Sequence, residues 1–171
     1  MRELAPNHYE KAFENWLIDN HIEYVPAGEQ HKPVFEHSTL KSFDFLLCPG
    51  SGKRIIAEVK GRQFKGTTLA GLSRLECWVT TGDVDGLASW QQTLGPGYEA
   101  AFIFAYRIQN VDVDLNGREV FDFSNGRYLF LAVRLADYVK YMKRRSPKWR
   151  TVTLPAGKFR LCACPVADLI I

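Results

Sequence analysis

The chain has 171 residues, 46% of them hydrophobic, and a formal net charge of only +3. That length suits one well-filled domain and is short for two, no run approaches the roughly 18 apolar residues of a membrane helix, and Met1–His8 lacks the apolar run of a signal peptide. The expectation is a single cytoplasmic domain over 1–171 with no membrane partner; the small net charge does not itself call for a polyanion, so only the distribution of charge can.

The first element expected is a helix. Asn7 and Glu10 form a plausible capping pair, and Tyr9, Ala12, Phe13, Trp16 and Leu17 recur at helical spacing as a core-facing stripe. Glu10 falls at the edge of that stripe, whereas Glu14 lies farther toward solvent. His8 and His21, at the two ends, read as solvent-facing or capping. Ile22–Pro26 reads as a short strand, followed by a polar stretch from Gly28 to Lys41 in which His31 and His37 have no metal-ligand spacing and receive no role.

Two short strands come next, Ser42–Leu47 and Arg54–Lys60, joined by the turn-rich Cys48-Pro49-Gly50-Ser51-Gly52-Lys53. A hairpin centred on Ser51 places Asp44 opposite Glu58. Lys60, two residues on, points to the same face. Phe43, Phe45 and Leu47 would oppose Ile55, Ala57 and Val59 on the other face as an apolar surface. Stranding carboxylates on a core strand costs several kcal/mol, so two acids and an amine gathered there imply a binding partner, most simply a divalent cation. Arg62 continues the same face and Lys65 lies just past it, both able to touch a phosphate backbone or to serve as surface charge.

A second helix is signalled by Thr80 or Thr81 as N-cap, Asp83 and Asp85 in the first turn, and Gly95 as the stop. Val84, Leu87, Ala88 and Leu94 form its apolar stripe, and Gln91 falls within it, where a buried amide needs partners. Trp78 and Trp90 read as packing. Tyr98–Tyr106 is nearly continuous apolar and reads as a central strand buried on both faces.

Beyond it, Glu119–Phe123 and Arg127–Leu131 flank Ser124-Asn125-Gly126, a strong hairpin signal. A helix from about Ala136 to Arg145 follows, with Leu135, Tyr138, Val139 and Met142 inward. No acid stands between Asp137 and Asp168, while Lys140, Lys143, Arg144, Arg145, Lys148, Arg150, Lys158 and Arg160 all do. With Tyr141 and Trp149 interleaved, this span is a candidate track for nucleic acid, or a solvated basic face. Thr151–Leu154 and Phe159–Cys164 read as closing strands. Cys48, Cys77, Cys162 and Cys164 are too few and scattered for a disulfide framework, and nothing completes a zinc site around Cys162-x-Cys164.

Asp44 on one strand followed by Glu58-Val59-Lys60 on the next, preceded by a helix and followed by a helix and a strand, resembles the PD-(D/E)XK nuclease superfamily. The resemblance covers about residues 7–108, with 109–171 as a C-terminal elaboration. It implies an α/β (α+β) fold: a restriction-endonuclease-like αβββαβ core with a mixed central sheet flanked by helices, carrying a C-terminal hairpin, a basic helix and edge strands. It also implies a metal-dependent endonuclease acting on nucleic acid, DNA before RNA, with a homodimer left open. Asp44, Glu58 and the Val59 carbonyl would bind Mg²⁺ or Mn²⁺. Glu10 would help hold a second ion or a water, Lys60 would serve the attacking water or the transition-state charge, and Gln91 would support the site. Glu10 as an exposed carboxylate favouring the helix dipole, and Gln91 as an ordinary core amide, are the alternatives. For the whole chain, the alternatives are a catalytically silent nucleic-acid-binding module on the same scaffold and a protein-interaction domain with an aromatic surface.

Overall fold

The apolar run that begins at Tyr98 forms the strand through the middle of the sheet. In a computed structural model, which describes residues 4–5, 7–27, 42–50 and 52–170, Ala100 to Tyr106 are buried without interruption, as helices on both faces require. The elements in chain order are α1 (His8–Asp19), β1 (Tyr24–Pro26), β2 (Phe45–Leu47), β3 (Arg54–Phe64), β4 (Val79–Thr80), α2 (Thr81–Leu94), β5 (Tyr98–Ile108), β6 (Phe121–Phe123), β7 (Gly126–Arg134), α3 (Leu135–Tyr141), β8 (Lys143–Ser146), β9 (Thr151–Thr153), α4 (Ala156–Cys162), β10 (Cys164–Pro165) and α5 (Val166–Leu169). Helix, three strands, helix, strand is the expected order, with the two-residue β4 inserted before the second helix. The polar stretch from Gly28 to Lys41, with His31 and His37, lies outside the described residues, as does Ser51. None of the described helices is long and apolar enough to cross a membrane.

The central sheet runs β1-β2-β3-β5-β7-β10, with β6 also paired to β7. Only β3 and β5 are parallel, and the segment that contains α2 supplies the crossover such a pair demands. Because side chains alternate, the sheet carries a core on each face. Ile55, Ala57, Val59, Ala101, Ile103 and Ala105 pack with Ala12, Phe13 and Leu17 of α1 and Val166 and Leu169 of α5. Ile56, Phe102, Phe104 and Tyr106 pack with Val84, Leu87 and Trp90 of α2, Tyr138 of α3 and Phe159 of α4. Glu58, Lys60 and Arg62 lie on the second face. A small separate sheet has the order β4-β9-β8.

Several expectations need correction. Asn7 caps α1 by position, but its side chain makes no capping hydrogen bond. In α2, Ala88 is exposed and Trp90 takes the buried position instead. The two residues of the β6–β7 loop are Ser124 and Asn125, with φ of 47° and 65°, while Gly126 already pairs with Phe123. Left-handed values at both loop residues are what a tight hairpin turn needs. Gly126 serves close approach instead, since a Cβ there would lie 2.8 Å from the Tyr128 ring.

The larger differences lie near the C-terminus. The expected helix to Arg145 ends at Tyr141, and Val139 is 45% exposed. Prolonging it would stack Lys140 over Arg144, a repulsive i,i+4 pair. The chain instead turns into β8 against Thr151-Val152-Thr153, whose β-branched residues favour a strand. Phe159–Cys162 is helical, not a strand, because Pro155 sets up the first turn of α4. Phe159 is buried and Leu161 is 67% exposed, so the strand-like alternation there is accidental. Cys162 and Cys164 therefore do not share a strand face, and all four cysteines are free thiols.

Candidate active site

The β2–β3 hairpin has the expected register: Phe45 faces Ala57, Leu46 faces Ile56 and Leu47 faces Ile55. At Asp44 the ladder breaks. Its N–H donates to the carbonyl of Ala57, the residue already opposite Phe45, at 3.1 Å, so Asp44 is an extra residue of the kind a β-bulge inserts. The bulge re-aims two side chains. Phe43 does not share a face with Phe45 as alternation alone implies; it crosses to the α2 side, where its ring lies 5.2 Å from that of Trp90. The Asp44 carboxylate swings over β3, and its Oδ2 accepts the N–H of Val59 at 2.8 Å.

Asp44 and Glu58 meet there. Glu58 is 8% exposed, and its carboxyl is hydrogen-bonded to that of Asp44. Burial, then that shared hydrogen bond and the charge of Asp44, push Glu58 far above the ordinary carboxylate range, to about 10. Val59 directs its N–H toward Asp44, and in an extended strand the carbonyl of the same residue points to the same side. Two carboxylates and a carbonyl thus converge where β2 leaves the sheet. These are hard oxygen donors of the sort that suits Mg²⁺ or Mn²⁺. Among the described residues no group of three or more His, Cys, Asp and Glu is gathered closely enough to hold an ion. An ion there would meet only two carboxylates and would need waters for its remaining positions, as Mg²⁺ commonly allows.

Lys60 lies on the same face as Glu58, one alternation further along β3. Its Nζ is 3.0 Å from Asp83 Oδ2, with Asp83 only 3% exposed. Asp83 is the residue that sequence reasoning missed. It forms a capping box with Thr80: the Thr80 N–H donates to Asp83 Oδ2 and the Asp83 N–H donates to Thr80 Oγ1, both at 3.0 Å. One carboxylate thereby starts α2 and holds the lysine. Thr80-x-x-Asp83 was the available signal, legible as a cap but not as a partner of Lys60.

Glu10, on α1, is near enough for its carboxyl to feel the charges of Asp44 and Lys60, but it is not gathered with Asp44 and Glu58 into one ligand group. It is half-buried, and burial raises its carboxyl above the ordinary range; Asp44 raises it further while Lys60 opposes the shift. Its approach depends on a contact no sequence pattern shows. The Tyr9 ring lies directly on Gly61, where a Cβ would stand 2.1 Å from Tyr9 Cδ2. Only glycine lets α1 come this close to β3. His8 secures the same turn of helix through Nδ1, 2.9 Å from the Tyr128 hydroxyl.

Two other candidates are not brought together with the acids. Gln91 Oε1 accepts the Ala100 N–H at 2.7 Å, which ties α2 to the beginning of β5. Gln91 lies eight residues beyond Asp83, about 12 Å along the helix at 1.5 Å per residue, so its amide serves packing. Arg62 is half-buried: its guanidinium donates to the carbonyls of Gly61 and Trp78 and lies 4.0 Å from the centre of the Trp78 ring. It is a structural residue, not one free for phosphate. Lys65 is exposed, at the far end of β3. Lys140 and Lys158 stand over opposite elements around Tyr141, 5.1 and 4.6 Å from its ring centre. Lys143, Arg144, Arg145, Lys148 and Arg150 are exposed along β8 and the turn after it. A cavity of about 480 Å³ lined by Trp16, Tyr128, Phe130 and Val166 lies on the α1 side and includes none of Asp44, Glu58 and Lys60. The acids instead lie on the second face of the sheet, where β3 runs on past its pairing with β2.

No family model matches the sequence, and no curated protein matches it. Among solved structures, Hjc, a Holliday junction resolvase from the archaeal hyperthermophile Archaeoglobus fulgidus, matches with a TM-score of 0.57 at 12% identity, over 96% of this chain and 99% of that one. The mixed sheet, its flanking helices and this likeness identify the fold as restriction-endonuclease-like.

Proposed function

We propose that the protein is a divalent-metal-dependent endonuclease that hydrolyses phosphodiester bonds in DNA. The observation that carries this reading is geometric: the half-buried Asp44 carboxyl meets the buried Glu58 carboxyl, next to a lysine ion-paired to Asp83. Asp44, Glu58 and the Val59 carbonyl would hold Mg²⁺ or Mn²⁺, and Glu10 would hold a water or a second ion. A bound ion would supply Lewis-acid stabilisation of charge on the phosphate oxygens. Lys60, fixed by Asp83, presents an ammonium to the phosphate and stabilises the charge that grows in the transition state. Partial burial on the face of the sheet strengthens that interaction, since fewer waters screen it. DNA is favoured because the matching structure is that of a Holliday junction resolvase. A homodimer, which would cut two strands with two sites, and a cytoplasmic location belong to the same reading.

The test is cleavage of plasmid and oligonucleotide DNA with Mg²⁺ or Mn²⁺, stopped by chelation. Lys60→Ala should lower the rate by about 10²–10³-fold, the usual loss when one charge-stabilising donor is removed. Calorimetric titration should show Mn²⁺ binding to the wild type and none to Asp44→Asn. Cleavage indifferent to both substitutions would take these residues out of the mechanism. Salt-dependent DNA binding with no cleavage under any divalent ion would favour a silent binding module instead.

A further inference from the structure

The small sheet places the most basic part of the chain beside the first turn of α2, from which Asp83 reaches Lys60. In the β8–β9 hairpin Lys143 faces Thr153, Arg144 faces Val152 and Ser146 faces Thr151, so its turn, 147–150, lies beyond the Ser146–Thr151 end. β9 also pairs with β4, Thr151 opposite Thr80 and Val152 opposite Val79. The turn therefore projects from the end of the sheet at which α2 begins. A hydrogen bond fixes it there, from the Thr81 N–H to the Arg150 carbonyl at 2.8 Å. Thr80 caps α2 together with Asp83, and Asp83 holds Lys60. From Arg150 to the lysine of the site the path crosses a single turn of helix.

What this turn presents to solvent is unusual. Trp149 is 68% exposed, with Lys148 Nζ 5.3 Å from its ring centre. Arg150, at φ 51°, bends the chain back into β9. Lys143, Arg144 and Arg145 lead into the turn and are also exposed. An indole is among the costliest side chains to leave in water, because it forgoes most of the apolar burial typical of an aromatic. A protein surface that covered it would have to bury the surrounding cations as well. A nucleic-acid strand supplies both complements, a phosphate for each cation and a flat base for the indole. In a continuous duplex the base faces are already stacked on one another, so the indole requires an unpaired base.

We propose that the β8–β9 turn is the substrate-recognition arm of this site. It stacks Trp149 on an unpaired base while Arg144, Lys148 and Arg150 hold the adjoining phosphates. The substrate class is then nucleic acid with unpaired bases next to the cut, as in a single strand or an opened branch, and intact duplex is a poor ligand. The inference rests on the nuclease reading only for what happens at the carboxylates; the grip of the arm needs no metal.

Binding is therefore measured without divalent ions, by fluorescence anisotropy of one labelled DNA strand, alone and annealed into a blunt duplex, across a salt series. The wild type should bind the single strand more tightly than the duplex. Trp149→Ala should weaken single-strand binding by about 5- to 100-fold, the range of one lost base stack, and change duplex binding by no more than about twofold. Trp149→Phe, which keeps an aromatic face, should recover most of the loss. Lys148→Ala should weaken both ligands and reduce the salt slope by about 1. Equal loss on both ligands in Trp149→Ala, no loss on either, a wild-type preference for duplex, or an indole that matters only for self-association would each overturn the proposal. Loss of cleavage with this binding pattern intact would count against the metal site and leave the arm standing.

Discussion

The acidic cluster on the central sheet and the basic arm of the small sheet treat their ionisable groups in opposite ways. Glu58 and Asp83 are 8% and 3% exposed and are each bound to a neighbour, Asp44 and Lys60. Lys148, Trp149 and Arg150 stand in solvent on a turn. In the first region the Glu58 and Asp83 carboxyls are taken out of water, so removing a partner leaves a buried group uncompensated and the cost is large and local. In the second, water screens every charge, so any one is nearly dispensable and only their number matters. Chemistry that must stabilise a transition state belongs where water is excluded; holding a long polyanion can be left to the surface.

The sharpest way to break this contrast is at Asp83. Asp83→Ala removes a helix cap and leaves Lys60 without its partner, and should cost about 3 kcal/mol or more in urea unfolding. Asp83→Asn keeps an acceptor for the Thr80 N–H and should cost less. A loss no greater than that of a surface substitution would show that the pair is not desolvated. Next comes Gly61→Ala, whose methyl would collide with Tyr9. Overpacking of this kind costs about 1–3 kcal/mol. Cleavage should fall with it as α1 carries Glu10 away, and a second change, Tyr9→Ala, should restore part of the stability.

A pH series reads the acid pair directly. Glu58 is held above its ordinary value of 4.5, so the folded chain keeps a proton that the unfolded chain releases. The resulting stability is complete below about 4.5 and is lost as pH rises through the folded value of about 10. The metal-free denaturation midpoint should fall across that window, and Glu58→Gln should flatten the fall. Mn²⁺ should bind more tightly as pH rises, releasing a proton on binding. A midpoint independent of pH would mean the two carboxylates do not share one. The smallest effect belongs to the arm: Arg144→Ala should leave the unfolding midpoint within about 0.5 kcal/mol, as surface changes do, and weaken DNA binding mainly at low salt.

Much of the first region was legible because its signals are local. Alternation around Ser51 sets which residues of β2 and β3 face one another, and the observed register keeps it from Phe45 to Leu47. Thr80 and Gly95 bound α2 by capping and stop chemistry that acts within one turn. The C-terminal part was less legible. A run of cations has no preferred periodicity, so Lys143-Arg144-Arg145 reads as helix until Thr151-Val152-Thr153 is there to pair with it. Phe159-Arg160-Leu161 alternates like a strand, yet it is helical because only Phe159 finds a core to enter.

The sequence alone determined the element order of the core, the central strand and the placing of Glu58 and Lys60 on β3 with Asp44 at the start of its hairpin partner, since each depends on propensity and alternation over a few neighbouring residues. Tertiary structure alone decided the bulge that turns Asp44 onto Val59, the pairing of Asp83 with Lys60, the bare backbone of Gly61 beneath Tyr9, the loss of Arg62 to Trp78, and the position of the basic turn beside α2. Each of these joins segments far apart in the chain, and desolvation, which gives the acids their properties, exists only once those segments have closed over one another.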